Sequence, residues 1–110
     1  MAKLYEGYRT ADGCVVIVVD DSGRRRKLPL KLNLANHSPT GFEWGYAGSG
    51  PAQLALALLA DVLKDDDRAM RLHQRFKHKH IATLDRGDHW VLSEVFIRNA
   101  IEELEANAVS

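Results

Sequence analysis

Hydrophobic and polar positions alternate with period two through the first third of the chain and follow a helical period through its second half. Residues 3–9 and 14–19 are rich in aromatic and β-branched side chains and flank Thr10-Ala11-Asp12-Gly13, a combination that predicts a β-hairpin. The run Cys14-Val15-Val16-Ile17-Val18-Val19 is apolar at both alternating sets of positions, the pattern of a strand whose sheet is covered on both faces. One cover is expected to be a helix and the other a second helix or a subunit partner, which a homodimer would supply. After Asp20-Asp21-Ser22-Gly23, Leu28, Leu30, Leu32 and Leu34 alternate with Pro29, Lys31 and Asn33. This predicts a third strand, placed at an edge because Pro29 has no N–H to give to a ladder. Past the turn formers of residues 36–41, Phe42, Trp44 and Tyr46 stand two apart, as one face of a short fourth strand would.

Gly48-Ser49-Gly50-Pro51 ends the extended region and opens a helix, with Ser49 or Gly50 at the cap and Pro51 at the first helical position. Between residues 51 and 63 only Gln53 and Asp61 are polar, so this helix is expected at the buried centre, over the sheet. Asp65-Asp66-Asp67 caps and favours a second helix reaching about His80, with Ala69, Leu72, His73, Phe76 and His80 on one side. Ser93 is placed to cap a third, in which Ile97, Ala100, Ile101 and Leu104 keep a core-facing spacing; residues 107–110 are expected to fray. The expected class is α+β: an N-terminal antiparallel sheet of three to four strands followed by three helices packed on it, in a single domain over residues 1–110.

With 45% hydrophobic and 27% charged residues the chain has ordinary globular usage, which argues against disorder. Its one cysteine, Cys14, cannot form an internal disulfide and reads as a small buried hydrophobe, so a cytoplasmic location is expected. The longest apolar stretch, residues 51–60, is half the ~20 residues that span a bilayer, and no N-terminal segment has a signal peptide's pattern, so no membrane association is expected. Fifteen basic residues balance fifteen acidic ones, so nucleic-acid binding would need a local patch.

The densest chemistry lies in residues 41–59, GFEWGYAGSGPAQLALALL in one-letter code. A strand leading into a glycine-rich turn and a helix N-terminus presents free N–H groups and a positive dipole end. Gly48, Ser49 and Gly50 could therefore cradle a phosphate or carboxylate, with Trp44 and Tyr46 as a stacking surface and Gln53 as a further contact. The alternative is structural: the glycines make a tight turn, Ser49 caps the helix, Gln53 satisfies loop backbone, and the aromatics, Trp44 above all, are core. The P-loop Lys-Ser/Thr pair, the G-x-G-x-x-G spacing and the G-x-S-x-G elbow are all missing. The segment resembles one shared by a family of uncharacterised small proteins of bacteria, phages and plasmids, of the form GF-x-WGYGGSGPAQLALALL. The resemblance runs over most of the chain and is sharpest here; Ala47 stands where that family has glycine, which reduces backbone freedom at this residue. It implies a mobile-element setting, in which many small proteins act by occluding host machinery, defence systems included.

His73, His78, His80 and His89, with Asp85 and Asp88, have the chemistry of metal ligands but not the spacing: His73 and His80 are two helical turns apart, and no H-E-x-x-H or C-x-x-C accompanies them. No metal and no cofactor is expected. No nucleophile with an adjacent base and no acid–base pair can be assembled, so no catalytic residue is assigned. Arg68, Arg71, Arg75, Lys77, His78 and Lys79 form a basic surface on the second helix, where Arg71 and Arg75 are expected to project together into solvent; Arg24-Arg25-Arg26-Lys27 forms another. The expected function is a non-catalytic protein that binds a host protein and modulates or inhibits it, with Arg68, Arg71, Arg75, Lys77 and Lys79 as its docking surface. The alternative is a nucleotide, phosphate-ligand or nucleic-acid binding module built on the Gly48-Ser49-Gly50 turn.

Overall fold

The computed structural model describes residues 3–87 and 89–109; Asp88 and Ser110, which entered the expectations above, lie outside the described residues. β1 (Leu4–Thr10) and β2 (Gly13–Val19) form the expected hairpin, with Leu4 opposite Val19 and Glu6 opposite Ile17. Gly13 takes φ 120° at the turn, and the Thr10 hydroxyl closes it by donating to the Gly13 carbonyl at 2.7 Å.

The third strand, β3, is Arg25–Lys27 and not the leucine alternation that follows it. Leu28 still donates its N–H to the Val16 carbonyl at 2.9 Å, but Pro29 has none to give, and Lys31 at φ 62° turns the chain so that the Leu34 N–H returns to the Lys31 carbonyl. The alternation therefore wraps a loop onto the core: Leu28 is buried, Leu30 and Leu34 pack against it, and Leu32 faces out. Residues 42–46 are not a strand either. Gly45 at φ 85° breaks the repeat, leaving Phe42 and Trp44 buried and Tyr46 exposed. The fourth strand is β4 (His89–Ser93), which joins β1 antiparallel, so the sheet runs β3-β2-β1-β4.

α1 (Ser49–Leu63) begins at the expected turn but with Gly48 at its cap and no side-chain cap bond, so Ser49 is the first helical residue and does not cap. It is buried from Gly50 to Val62, as an all-round apolar helix requires. α2 (Asp66–Phe76) is capped by the Asp65 carboxylate, which accepts the Arg68 N–H at 3.1 Å, and continues into a π-helical turn, Lys77–Ile81. α3 (Glu94–Val109) is capped by the Ser93 hydroxyl on the Phe96 N–H at 3.0 Å and stays helical through residues 107–109, where fraying was expected. Tyr5, Val16, Val18 and Trp90 from one face of the sheet share a single core with the α1 leucines, Leu72 and Phe76 of α2, and Ile97, Ile101 and Leu104 of α3. The class is α+β, with the last strand inserted between the second and third helices.

Candidate functional site

In the glycine-rich segment the chain folds upon itself. Trp44 is fully buried, donates its indole N–H to the Gly87 carbonyl at 3.2 Å and meets Trp90 edge-on. The Arg9 guanidinium lies over its ring, fixed by the Glu43 carboxylate at 2.8 and 2.9 Å. A side chain at Gly50 would strike Glu43, one at Gly48 the Tyr46 ring, and one at Gly45 Arg86, which itself stacks on Tyr46. The space over the start of α1 is thus occupied by the protein's own aromatic ring, and the glycines are explained by close approach within the segment. Ala47 is exposed and lies outside the left-handed region, so its side chain costs no backbone strain there.

Gln53 is fully buried and spends all its hydrogen bonds on one loop. Its Oε1 accepts the N–H groups of His37 and Ser38 at 2.8 and 3.0 Å, and its Nε2 donates to the carbonyls of Leu30 and Ala35 at 2.6 and 3.1 Å. Of the six residues expected to touch a ligand, Trp44, Gly50 and Gln53 are buried, Gly48 is half-buried against the Tyr46 ring, and Tyr46 and Ser49 are exposed.

The basic stripe of α2 is directed largely at α3. Arg68 grips Glu105 through two hydrogen bonds of 3.0 and 2.7 Å, Arg75 donates to the Leu104 carbonyl at 3.2 Å, and Lys79 meets Glu103 at 3.2 Å. Arg71 and Arg75 are both exposed, yet only Arg71 projects without such a tie; Lys77 is half-buried. The stripe therefore clamps two helices, and of the five residues expected to dock a partner three hold α3.

Asp61, the lone acid of α1, is the polar centre that spacing alone did not reveal. Its carboxylate accepts the Tyr5 hydroxyl at 2.6 Å and Arg26 at 2.8 Å, with Lys3 at 3.4 Å, tying α1 to β1 and β3. Burial pushes its pKa up, but the Tyr5 and Arg26 hydrogen bonds and the charges of Lys3 and Arg26 outweigh burial and hold it below the usual carboxylate value. Burial, followed by the Asp61 hydrogen bond, drives the Tyr5 hydroxyl far above its ordinary value. With its lone pairs taken and its phenol made a poorer acid, the pair is suited to fastening helix to sheet and not to moving protons.

The other face of the sheet carries Leu4, Glu6 and Tyr8 of β1, Val15, Ile17 and Val19 of β2, Arg25 and Lys27 of β3, and His89 and Val91 of β4. None of these side chains is fully buried, and Leu4 and Val91 are 38% and 45% exposed, so no described element covers this face. The described residues do not supply the expected second cover. Glu6, the one acid on the face, is already held by Tyr8 at 2.6 Å and Arg25 at 3.1 Å, and Tyr8 stacks on His89.

The histidines are dispersed. His73 meets His37, His80 packs between Phe76 and Phe96, His89 lies on Tyr8, and His78 is exposed. Among the described residues no three His, Cys, Asp or Glu side chains gather where a metal ion could be held, and no helix is long and apolar enough to cross a membrane.

A family profile, that of a family of unknown function (DUF6166), matches residues 5–103. No curated protein and no solved structure matches the chain.

Proposed function

We propose that this chain, which belongs to the family of unknown function DUF6166, is a non-catalytic protein that docks on another protein through the open face of its sheet. The observation that carries the reading is the uncovered apolar strip of Leu4, Val15, Ile17, Val19 and Val91 across three adjacent strands. Such a strip loses free energy to water until something covers it, at roughly 25 cal/mol per Å². Arg25 and Glu6 pair with each other on this face, so Lys27 of β3 leaves it with net basic charge, and it favours a partner presenting apolar residues flanked by Asp or Glu. A second copy meeting it face to face would bring only Glu6, already paired with Arg25.

The resemblance to proteins of phages and plasmids makes that partner a host protein, and its occlusion the biological effect. The test is affinity capture from the native host with wild type and with Leu4→Glu/Val91→Glu. Val91→Glu stands opposite Glu6 across the β1–β4 ladder, a like-charge pair that costs up to about 1 kcal/mol. The variant is therefore first shown to melt cooperatively, and a specific partner held by wild type and lost by the folded variant supports the reading. Equal capture by both proteins overturns it. Wild type that is dimeric by light scattering and monomeric in the variant would replace the host protein by a second copy. A steep loss of binding with salt would indicate nucleic acid instead, since each neutralised phosphate releases counterions.

A further inference from the structure

Among the described residues two non-glycine positions hold a left-handed backbone, Lys31 at φ 62° and Lys64 at φ 54°. Glycine adopts that conformation freely, whereas every L side chain meets steric resistance there. Lys64 ends α1, its N–H closing on the Ala60 carbonyl at 3.0 Å, at the position glycine most often fills. Lys31 opens the turn closed by the Leu34 N–H. Both turns are held by backbone hydrogen bonds, so neither needs its lysine side chain. Two lysines thus stand where glycine would relieve the backbone, and both line the same cavity of about 610 Å³, between the loop after β3 and the α1–α2 turn. Left-handed positions held by residues other than glycine cluster at active sites and ligand clamps.

The cavity's chemistry is consistent with one ligand class. Leu28, Pro29, Ala57 and Ala60 give it an apolar wall. Arg26 is committed to Asp61 at 2.8 Å, while Lys64 stays 3.8 Å from that carboxylate, beyond hydrogen-bond length, and Lys31 makes no ion pair among the described residues. Lys31, without an ion pair among the described residues, and Lys64, paired only at 3.8 Å with an Asp61 that Arg26 and Lys3 already share, leave the lining net positive even with Asp61 and Asp66 in it. That suits a phosphate anion, and lysine binds phosphate as a point charge. Asp66 adds an acceptor for a hydroxyl on the ligand's body. The volume lies within the roughly 300–1,000 Å³ typical of small-molecule sites.

We propose that this cavity binds a phosphate ester the size of a nucleoside monophosphate, its phosphate between Lys31 and Lys64, its body against Leu28 and Ala57, its hydroxyls toward Asp66. The site is separate from the open sheet face, because Arg26 pairs with Val18 on the side that faces the helices.

The test compares wild type with Lys31→Gly/Lys64→Gly by thermal shift and isothermal titration, using AMP, GMP, CMP, UMP and orthophosphate at low ionic strength. At least one nucleotide should raise the wild-type melting temperature, and the variant should bind it at least tenfold more weakly while melting, unliganded, at the same temperature or higher. No shift with any nucleotide overturns the proposal, as does equal binding by the variant. A lower melting point of the unliganded variant would give the lysines a structural role and remove the argument from strain. A response to orthophosphate as strong as to any nucleotide would overturn the assignment of an ester body.

Discussion

His37 and His73 meet through their Nε2 atoms at 3.0 Å, and the tautomer of the pair follows from what lies behind it. The Met70 carbonyl, 2.8 Å from His73 Nδ1, can only accept, so Nδ1 carries the proton, His73 Nε2 presents its lone pair, and His37 Nε2–H donates to it. A proton added at His73 Nε2 would leave two donors facing each other. Burial, with the charges of His37 and Lys77, lowers the His73 pKa below 6.5. The folded state therefore binds fewer protons than the unfolded chain: the stabilisation is complete above about pH 6.5 and is lost as pH falls from there through the lowered folded value. His80, lowered chiefly by burial, acts with the same sign. Urea midpoints between pH 5 and 7.5 should fall more steeply on acidification in wild type than in His73→Gln.

Gln53 makes four hydrogen bonds from α1 to the loop after β3. Replacing it with Leu would orphan two N–H and two carbonyl groups, and since each buried orphan costs about 1–3 kcal/mol, a loss of at least ~2 kcal/mol is expected. Amide exchange should localise it, with His37 and Ser38 losing protection before the β1–β2 hairpin does.

Leu56 and Leu59 are both fully buried in α1. Leu→Ala at either should cost ~2–5 kcal/mol, a large share of the stability of a small domain, and lower the melting temperature in proportion. An unchanged melting temperature for both would contradict the position of α1.

Arg68 and Glu105 join α2 to α3 by a two-pronged pair at half-exposed positions, where such contacts contribute about 0–1 kcal/mol. Arg68→Glu places two carboxylates together and should destabilise by more than Arg71→Glu, since Arg71 acts on Glu105 through its charge and makes no hydrogen bond to it. Adding Glu105→Arg should restore most of the loss, and a double-mutant cycle in urea measures it.

Gly7 lies opposite Trp90 across the β1–β4 ladder, and the indole fills the space a Cβ would take. Gly7→Val should therefore cost about 1–3 kcal/mol through overpacking, even though valine favours strands. Indole fluorescence of the folded variant should report a displaced ring.

Signals that reach only a few residues along the chain were legible in the sequence. The hairpin turn at Thr10 to Gly13, the caps at Asp65 and Ser93, and the start of an apolar helix near Pro51 each depend on hydrogen bonds or side-chain spacing within one or two turns. Period-two leucines, by contrast, could not distinguish a strand from a loop that dips repeatedly into the core, because burial alternates in both; Pro29 and the left-handed Lys31 decided it. Tertiary structure alone paired β4 with β1 from the far end of the chain, turned Arg68 and Arg75 toward α3, and set Lys31 and Lys64 on one cavity. It also left one sheet face uncovered by the described residues. Each of these depends on which distant segment arrives, and a local pattern of residue types states what a surface can bury or pair without stating what will meet it.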